Sequence, residues 1–164
     1  MKNYIICLIS LVMLSFVMTS CDNETALKLN GAWAAIDNDS EYFEILTFTK
    51  TGPAAGDFKQ SITLKMEIDE EVHGYEITML GKWEINEDDD LVLKLDKESI
   101  STSYFIDNEI KEIQESAKQT ESVMRDNANT FNNSYSSETG VENFSISEDG
   151  NSLCLSKDLK YKKM

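Results

Sequence analysis

The stretch HGYEITMLGKWEI, residues 73–85, decides the fold. His73, Tyr75, Ile77, Met79, Trp83 and Ile85 share one face of it, opposed by Glu76, Thr78, Lys82 and Glu84. A period of two puts successive side chains on opposite faces of an extended chain, so the segment reads as a strand with one apolar face. Gly81 lies inside the run, where a glycine marks a bulge or a sharp bend. Working outward, the alternation recurs. Ile62, Leu64, Met66 and Ile68 oppose Lys59, Ser61, Thr63, Lys65 and Glu67. Leu91, Leu93 and Leu95 repeat it, as do Phe144 with Ile146 and Leu153 with Leu155.

Turn-forming clusters separate these runs: Asp37-Asn38-Asp39-Ser40, Thr51-Gly52-Pro53, Glu87-Asp88-Asp89-Asp90 and Glu148-Asp149-Gly150-Asn151. Asp149-Gly150 between two alternating segments is a strong hairpin signal. Short antiparallel strands joined by tight turns predict a sandwich or a closed up-and-down barrel. One segment breaks the period. Ile110, Ile113, Ala117, Thr120 and Met124 fall at helical spacing, with Asp107 or Asn108 placed as a cap, and predict a helix over residues 108–126. Its thin apolar stripe assigns it to the outside of the sheet or across one end. Residues 127–139, rich in Asn, Ser and Thr, read as a loop.

Composition excludes several function classes. The chain has 164 residues, 30 acidic against 15 basic, one histidine, one proline and three cysteines. A single imidazole excludes a site built on two histidines. A net charge of −15 argues against nucleic acid, whose phosphates call for clustered Lys and Arg. Asp37, Asp39 and Glu41 have the odd spacing of a calcium loop, but Tyr42 and Phe48 stand where its glycine and bidentate glutamate belong, so no metal and no cofactor is expected. No pair of carboxylates sits in a recognisable catalytic motif, and no enzyme is read here.

Residues 1–20 have the form of an export signal: Lys2, then an apolar run from Tyr4 to Val17, then Thr19 and Ser20. That run is shorter than the roughly 20 apolar residues of a membrane span. Val17-Met18-Thr19-Ser20-Cys21 resembles the lipobox of bacterial lipoproteins, which implies cleavage before Cys21, its lipidation, and attachment to a membrane through that lipid. Removing the signal takes one basic residue and no acid, deepening the net charge to −16. Residues 21–28 then read as a lipidated polar tether and residues 29–164 as one domain. Cys154, between two leucines, reads as a strand thiol, and the Lys157, Lys160, Lys162 and Lys163 tail as a frayed terminus.

Leu29-Asn30-Gly31-Ala32-Trp33, then Tyr42-Phe43-Glu44-Ile45-Leu46-Thr47-Phe48 and Thr51-Gly52, resemble the opening of lipocalin-like domains. Gly81-Lys82-Trp83-Glu84-Ile85 with Asp90-Leu91-Val92-Leu93 is similar to the middle hairpin of lipocalin-like lipoproteins of Bacteroidota. Phe144-Ser145-Ile146 through Leu155 resembles their closing hairpin. The resemblance spans roughly residues 29–157. It implies a mainly β fold, an antiparallel up-and-down barrel of about eight strands, from whose simplest pattern the one helix expected before the last hairpin departs. It also implies a place in the outer membrane, on its periplasmic face or at the cell surface.

A barrel of that size either packs solid or holds one small ligand. In the second case Trp33, Phe48, Met66, Tyr75, Met79, Trp83 and Tyr104 are the candidate ligand-binding residues, an adaptable aromatic and thioether lining. The same residues equally suit a filled core. His73, on that apolar face near a strand end, is either a hydrogen-bonded rim residue or a polar group orienting a ligand carboxylate. Two functions follow. One is non-catalytic binding of a small apolar or amphipathic ligand; the other is a solid-core module that contacts another envelope protein.

Overall fold

The computed structural model describes residues 22–164 apart from 38, 108, 112–114, 135–140, 142–143 and 157–158. Residues 1–20, expected to be an export signal, and Cys21 lie outside the described residues. The fold is mainly β: one antiparallel sheet of nine strands with two helices among the described residues. The strands are β1 (Gly31–Ala35), β2 (Tyr42–Lys50), β3 (Ala55–Ile68), β4 (Glu71–Ile85), β5 (Leu91–Ile106), β6 (Glu109–Lys111), β7 (Ser145–Ile146), β8 (Ser152–Cys154) and β9 (Lys160–Lys163). Helix α1 spans Glu24–Leu29 and α2 spans Glu115–Ser134. The order across the sheet is β6-β5-β4-β3-β2-β1-β9-β8-β7.

The decisive stretch is β4, and its expected face is the inner one. Register carries that face across the sheet. Leu46 opposes Gln60, Gln60 opposes Met79, Trp83 opposes Leu93, and Trp33 opposes Leu46. Gly81 stands opposite Phe58, and a Cβ built there would lie 2.3 Å from the Phe58 ring and 2.4 Å from the Lys94 carbonyl. Its glycine therefore answers a close approach rather than a bulge. The bulge falls next to it, between Thr78 and Leu80, where β5 gains the 97–100 excursion that Ser99 ties back to Leu80.

Among the described residues no ladder joins the two ends of the sheet, yet both ends face one core. Leu93 of β5 and Leu155, Leu159 and Tyr161 from the other end line the same small interior space. The outer edge of β5, which a free strand would leave as a row of unpaired amides, is covered piece by piece. Val141 N–H donates to the Leu91 carbonyl at 2.8 Å. The Asn132 side-chain amide both accepts from Leu95 N–H at 2.7 Å and donates to its carbonyl at 3.0 Å. Arg125 donates to the Ile100 carbonyl at 2.7 Å, and Glu121 accepts from Thr102 N–H at 3.0 Å. Beyond them β6 pairs with Tyr104, Phe105 and Ile106. Helix α2 thus acts as a side-chain substitute for a strand.

Four expectations are corrected. The helix runs over Glu115–Ser134, not 108–126: Ile110 lies in β6 and is 80% exposed, while part of the expected loop is helical. The tether expected over residues 21–28 is helical from Glu24, capped by Asn23 and anchored by the fully buried Ala26 and Leu29. The expected frayed terminus contains β9, whose Tyr161 is buried and which joins β1 to β8. Nine strands, not about eight, form among the described residues, because β6 adds a short strand outside the main run. The Asp149-Gly150 hairpin forms as expected between β7 and β8, with Gly150 at φ +69°.

Candidate functional site

The seven candidate lining residues share the inner face but not one environment. At the α1 end they are packed solid. Trp33 is fully buried and its indole N–H donates to the Leu29 carbonyl at 2.8 Å, with Lys163 stacked over the ring. Trp83 donates to the Asp57 carbonyl at 3.0 Å and meets Phe48 edge-on at 6.1 Å between centroids. Met79 completes this core. The interior space between Phe48, Phe58, Leu93, Val141 and Leu155 is about 60 Å³, against the roughly 30 Å³ a water takes in the liquid. Larger open grooves, about 430 and 570 Å³, lie outside, between α2 and the β4–β5 surface, and are lined by Lys82, Lys94, Asp57 and Asp96 among others.

Midway along the inner face sits a carboxyl group the sequence reading did not single out. Glu44 is 3% exposed. It accepts from Gln60 Nε2 at 2.7 Å, from the Tyr161 hydroxyl at 2.8 Å, and from the Tyr42 hydroxyl. Burial, with the Glu44 carboxylate beside it, pushes the Tyr42 hydroxyl well above the usual tyrosine range. Buried charge is tolerated where donors satisfy it. The signal was present as an acid at the even, apolar-face parity of Tyr42-x-Glu44-x-Leu46-x-Phe48. This cluster joins β2, β3 and β9; Glu44 and Tyr161 are buried, whereas Tyr42 and Gln60 are half-buried.

At the far end the inner face is uncovered. Strands β3, β4 and β5 run 14, 15 and 16 residues, whereas β1, β9 and β8 run 5, 4 and 3. Met66 and Ile68 lie past Tyr42, where β2 begins. Leu64, Met66 and Ile68 are consequently 37, 48 and 44% exposed. Beside them Tyr75 and Tyr104 pack ring to ring at 5.2 Å. His73 Nδ1 lies 2.5 Å from the Tyr104 hydroxyl, and its Nε2 lies 3.5 Å from Glu71. Burial raises the Tyr104 hydroxyl, reinforced by Tyr75 and Glu71. His73 is a hydrogen-bonded rim residue. Of the candidates, then, Trp33, Phe48, Met79 and Trp83 belong to the core, Tyr104 is buried at 3% exposure beneath the open end, Tyr75 is half-buried beside it, and Met66 is exposed.

The two-residue turn at the tip of this overhang holds Asp69 at φ 52° and Glu70 at φ 68°. Tight hairpin turns with both central residues left-handed favour Asn-Gly, because a larger side chain is strained there. Acids occupy both positions instead. No family model, curated protein or solved structure matches the chain. The geometry of this end and the solid core below it carry the functional reading.

Proposed function

We propose that the chain is a lipid-anchored, lipocalin-like lipoprotein of a bacterial outer membrane, of the Bacteroidota kind. Its body works without catalysis as an interaction module for another envelope protein. One observation carries the module reading: among the described residues the space between Phe48, Phe58, Leu93 and Leu155 measures about 60 Å³, while apolar side chains of the same inner face stand exposed at the open end. A chamber for a drug-sized ligand takes about 300 Å³ or more.

The barrel reading has topological support. Strands β1 to β5 and β7 to β9 are an even, wholly antiparallel run, and its end strands β5 and β7 point in opposite senses. One further ladder between them would complete an up-and-down barrel of eight strands. Residues Val141 and Asn132 occupy part of that gap.

Lipidation of Cys21 has a geometric consequence. Asp22 is paired with Lys50 at 2.6 Å, and Asn23 donates to the Pro53 carbonyl at 3.2 Å. A lipid on Cys21 would therefore hold the α1 end directly at the membrane and point the overhang away from it. A second reading, a small amphipathic ligand on the open wall, draws on the His73 and Tyr104 pair beside Met66.

Growth with a clickable fatty acid tests the anchor: the wild-type chain takes up label and Cys21→Ala does not. Label in the variant, or none in the wild type, refutes lipidation at Cys21. For the body, native mass spectrometry of the membrane-extracted protein distinguishes the readings. A retained lipid-like mass favours the ligand; its absence, with a protein cross-linked from surface positions in cells, favours the module.

A further inference from the structure

We propose that the uncovered inner face of the β3–β4 overhang is a docking surface for a partner segment carrying apolar side chains flanked by lysine or arginine. This rests on the interaction-module reading and names the partner's chemistry. The apolar half of the match is the stripe Leu64, Met66 and Ile68, exposed side by side at alternate positions of one strand. A contiguous exposed apolar stripe on a strand end marks an interaction site.

The charged half is the rim. Glu67, Asp69, Glu70 and Glu71 surround the tip, with Lys65 the one base on the same stretch. On the neighbouring β5–β6 turn stand Asp107, Glu109 and Lys111, and that lysine is already paired with Glu109 at 2.5 Å. The acids at positions 69 and 70 keep left-handed backbone that glycine or asparagine would hold more easily. A surface this acidic repels anionic headgroups, which removes a membrane as the occupant. It also removes a second copy, because a two-fold contact through this patch would set acid against acid. A basic-flanked apolar segment satisfies both halves.

The test uses the full-length protein in nanodiscs of zwitterionic phospholipid. Two synthetic peptides share one apolar core, flanked by lysines in the first and by glutamates in the second. Binding is read by fluorescence anisotropy. The lysine-flanked peptide is expected to bind about tenfold tighter or more, a preference that added salt screens away. The double variant Met66→Ser, Ile68→Ser abolishes its binding; both positions are exposed, so the fold stays intact. Glu70→Lys with Glu71→Lys inverts the preference.

Equal binding of the two peptides, binding that survives the serine variant, or tighter binding to phosphatidylglycerol vesicles than to either peptide overturns the proposal. The interaction-module reading fails separately: it falls when no surface position, near the overhang or far from it, cross-links an envelope protein in cells.

Discussion

Replacing Tyr161 by phenylalanine removes one hydroxyl and leaves the ring, so no cavity forms and the effect reads the hydrogen bonding of that hydroxyl, of which the bond to Glu44 is the main described part. That hydroxyl donates to Glu44 Oε1 at 2.8 Å, between residues that are 2 and 3% exposed. The Gln60 amide, 2.7 Å from the same oxygen, and the Tyr42 hydroxyl stay on the carboxylate, so it is weakened rather than orphaned. A hydrogen bond to a charged group contributes about 1.5–3 kcal/mol. With other donors remaining, the lower half of that range applies, about 2 kcal/mol. This is a sizeable share of the roughly 5–15 kcal/mol that holds a domain folded.

Urea unfolding followed by the fluorescence of the buried Trp33 and Trp83 reads the change. With a slope of about 2 kcal/mol per molar urea, the midpoint falls by about 1 M. A cycle with Glu44→Gln tests the pair itself, since contacting groups show coupling of about 0.5 kcal/mol or more. A midpoint shift under about 0.2 M, or additive single and double variants, refutes the account of Glu44 as the group that ties β9 to β2.

Asn132→Leu strips both partners from Leu95, and its expected cost of about 1–3 kcal/mol should appear with faster hydrogen exchange at the Leu95 amide. Thr102→Val has the opposite sign: the buried Thr102 hydroxyl has no partner among the described residues, so the isosteric methyl should leave thermal stability unchanged or raise it by up to about 1 kcal/mol. Gly81→Ala sets a Cβ 2.4 Å from a backbone carbonyl that cannot yield like a side chain, and should cost about 1–3 kcal/mol in the same urea assay. Asp149 is held below the usual aspartate value by the Ser147 hydroxyl and by Asn151. Its contribution is therefore present above the ordinary value of 3.8 and lost as pH falls through the lower folded one. An NMR titration of the β7–β8 turn should show this, and Asp149→Asn should remove that part of the acid transition.

The long strands were legible because a half-buried strand writes its geometry as parity, and β4 does so over fifteen residues. Helix α2 was misplaced for a physical reason. Its contact face is Ala117, Glu121, Arg125, Ala128 and Asn132, a helical stripe that is small or polar because it bonds a strand edge instead of filling a core. Apolar periodicity catches Ala117 and Met124 but begins the helix too early, at Ile110, which is exposed. Strand β9 offers one apolar residue among three lysines, too little for any period to show. Helix α1 did carry a signal, with Asn23 as cap and Glu24 paired to Lys28 at 2.8 Å, but its six residues hide inside a polar composition.

The candidate site shows a deeper limit of parity. Phe48, Trp83 and Met66 all lie on the inner face, and nothing in the alternation separates them. What separates them is height along the sheet. The inner face of β3 and β4 is core only as far as the short strands β1, β8 and β9 reach across from it, and beyond that height the same parity delivers surface. The length of an opposing strand is a long-range fact, set here by a C-terminal segment some ninety residues further on than Met66. Met66 and Ile68, 48 and 44% exposed and outside the core cluster, contribute less by burial than the core residues of the same face, so the fold depends little on their being apolar. That independence gives the overhang its functional weight: serine at both positions should spare the stability of the protein and cost it its partner.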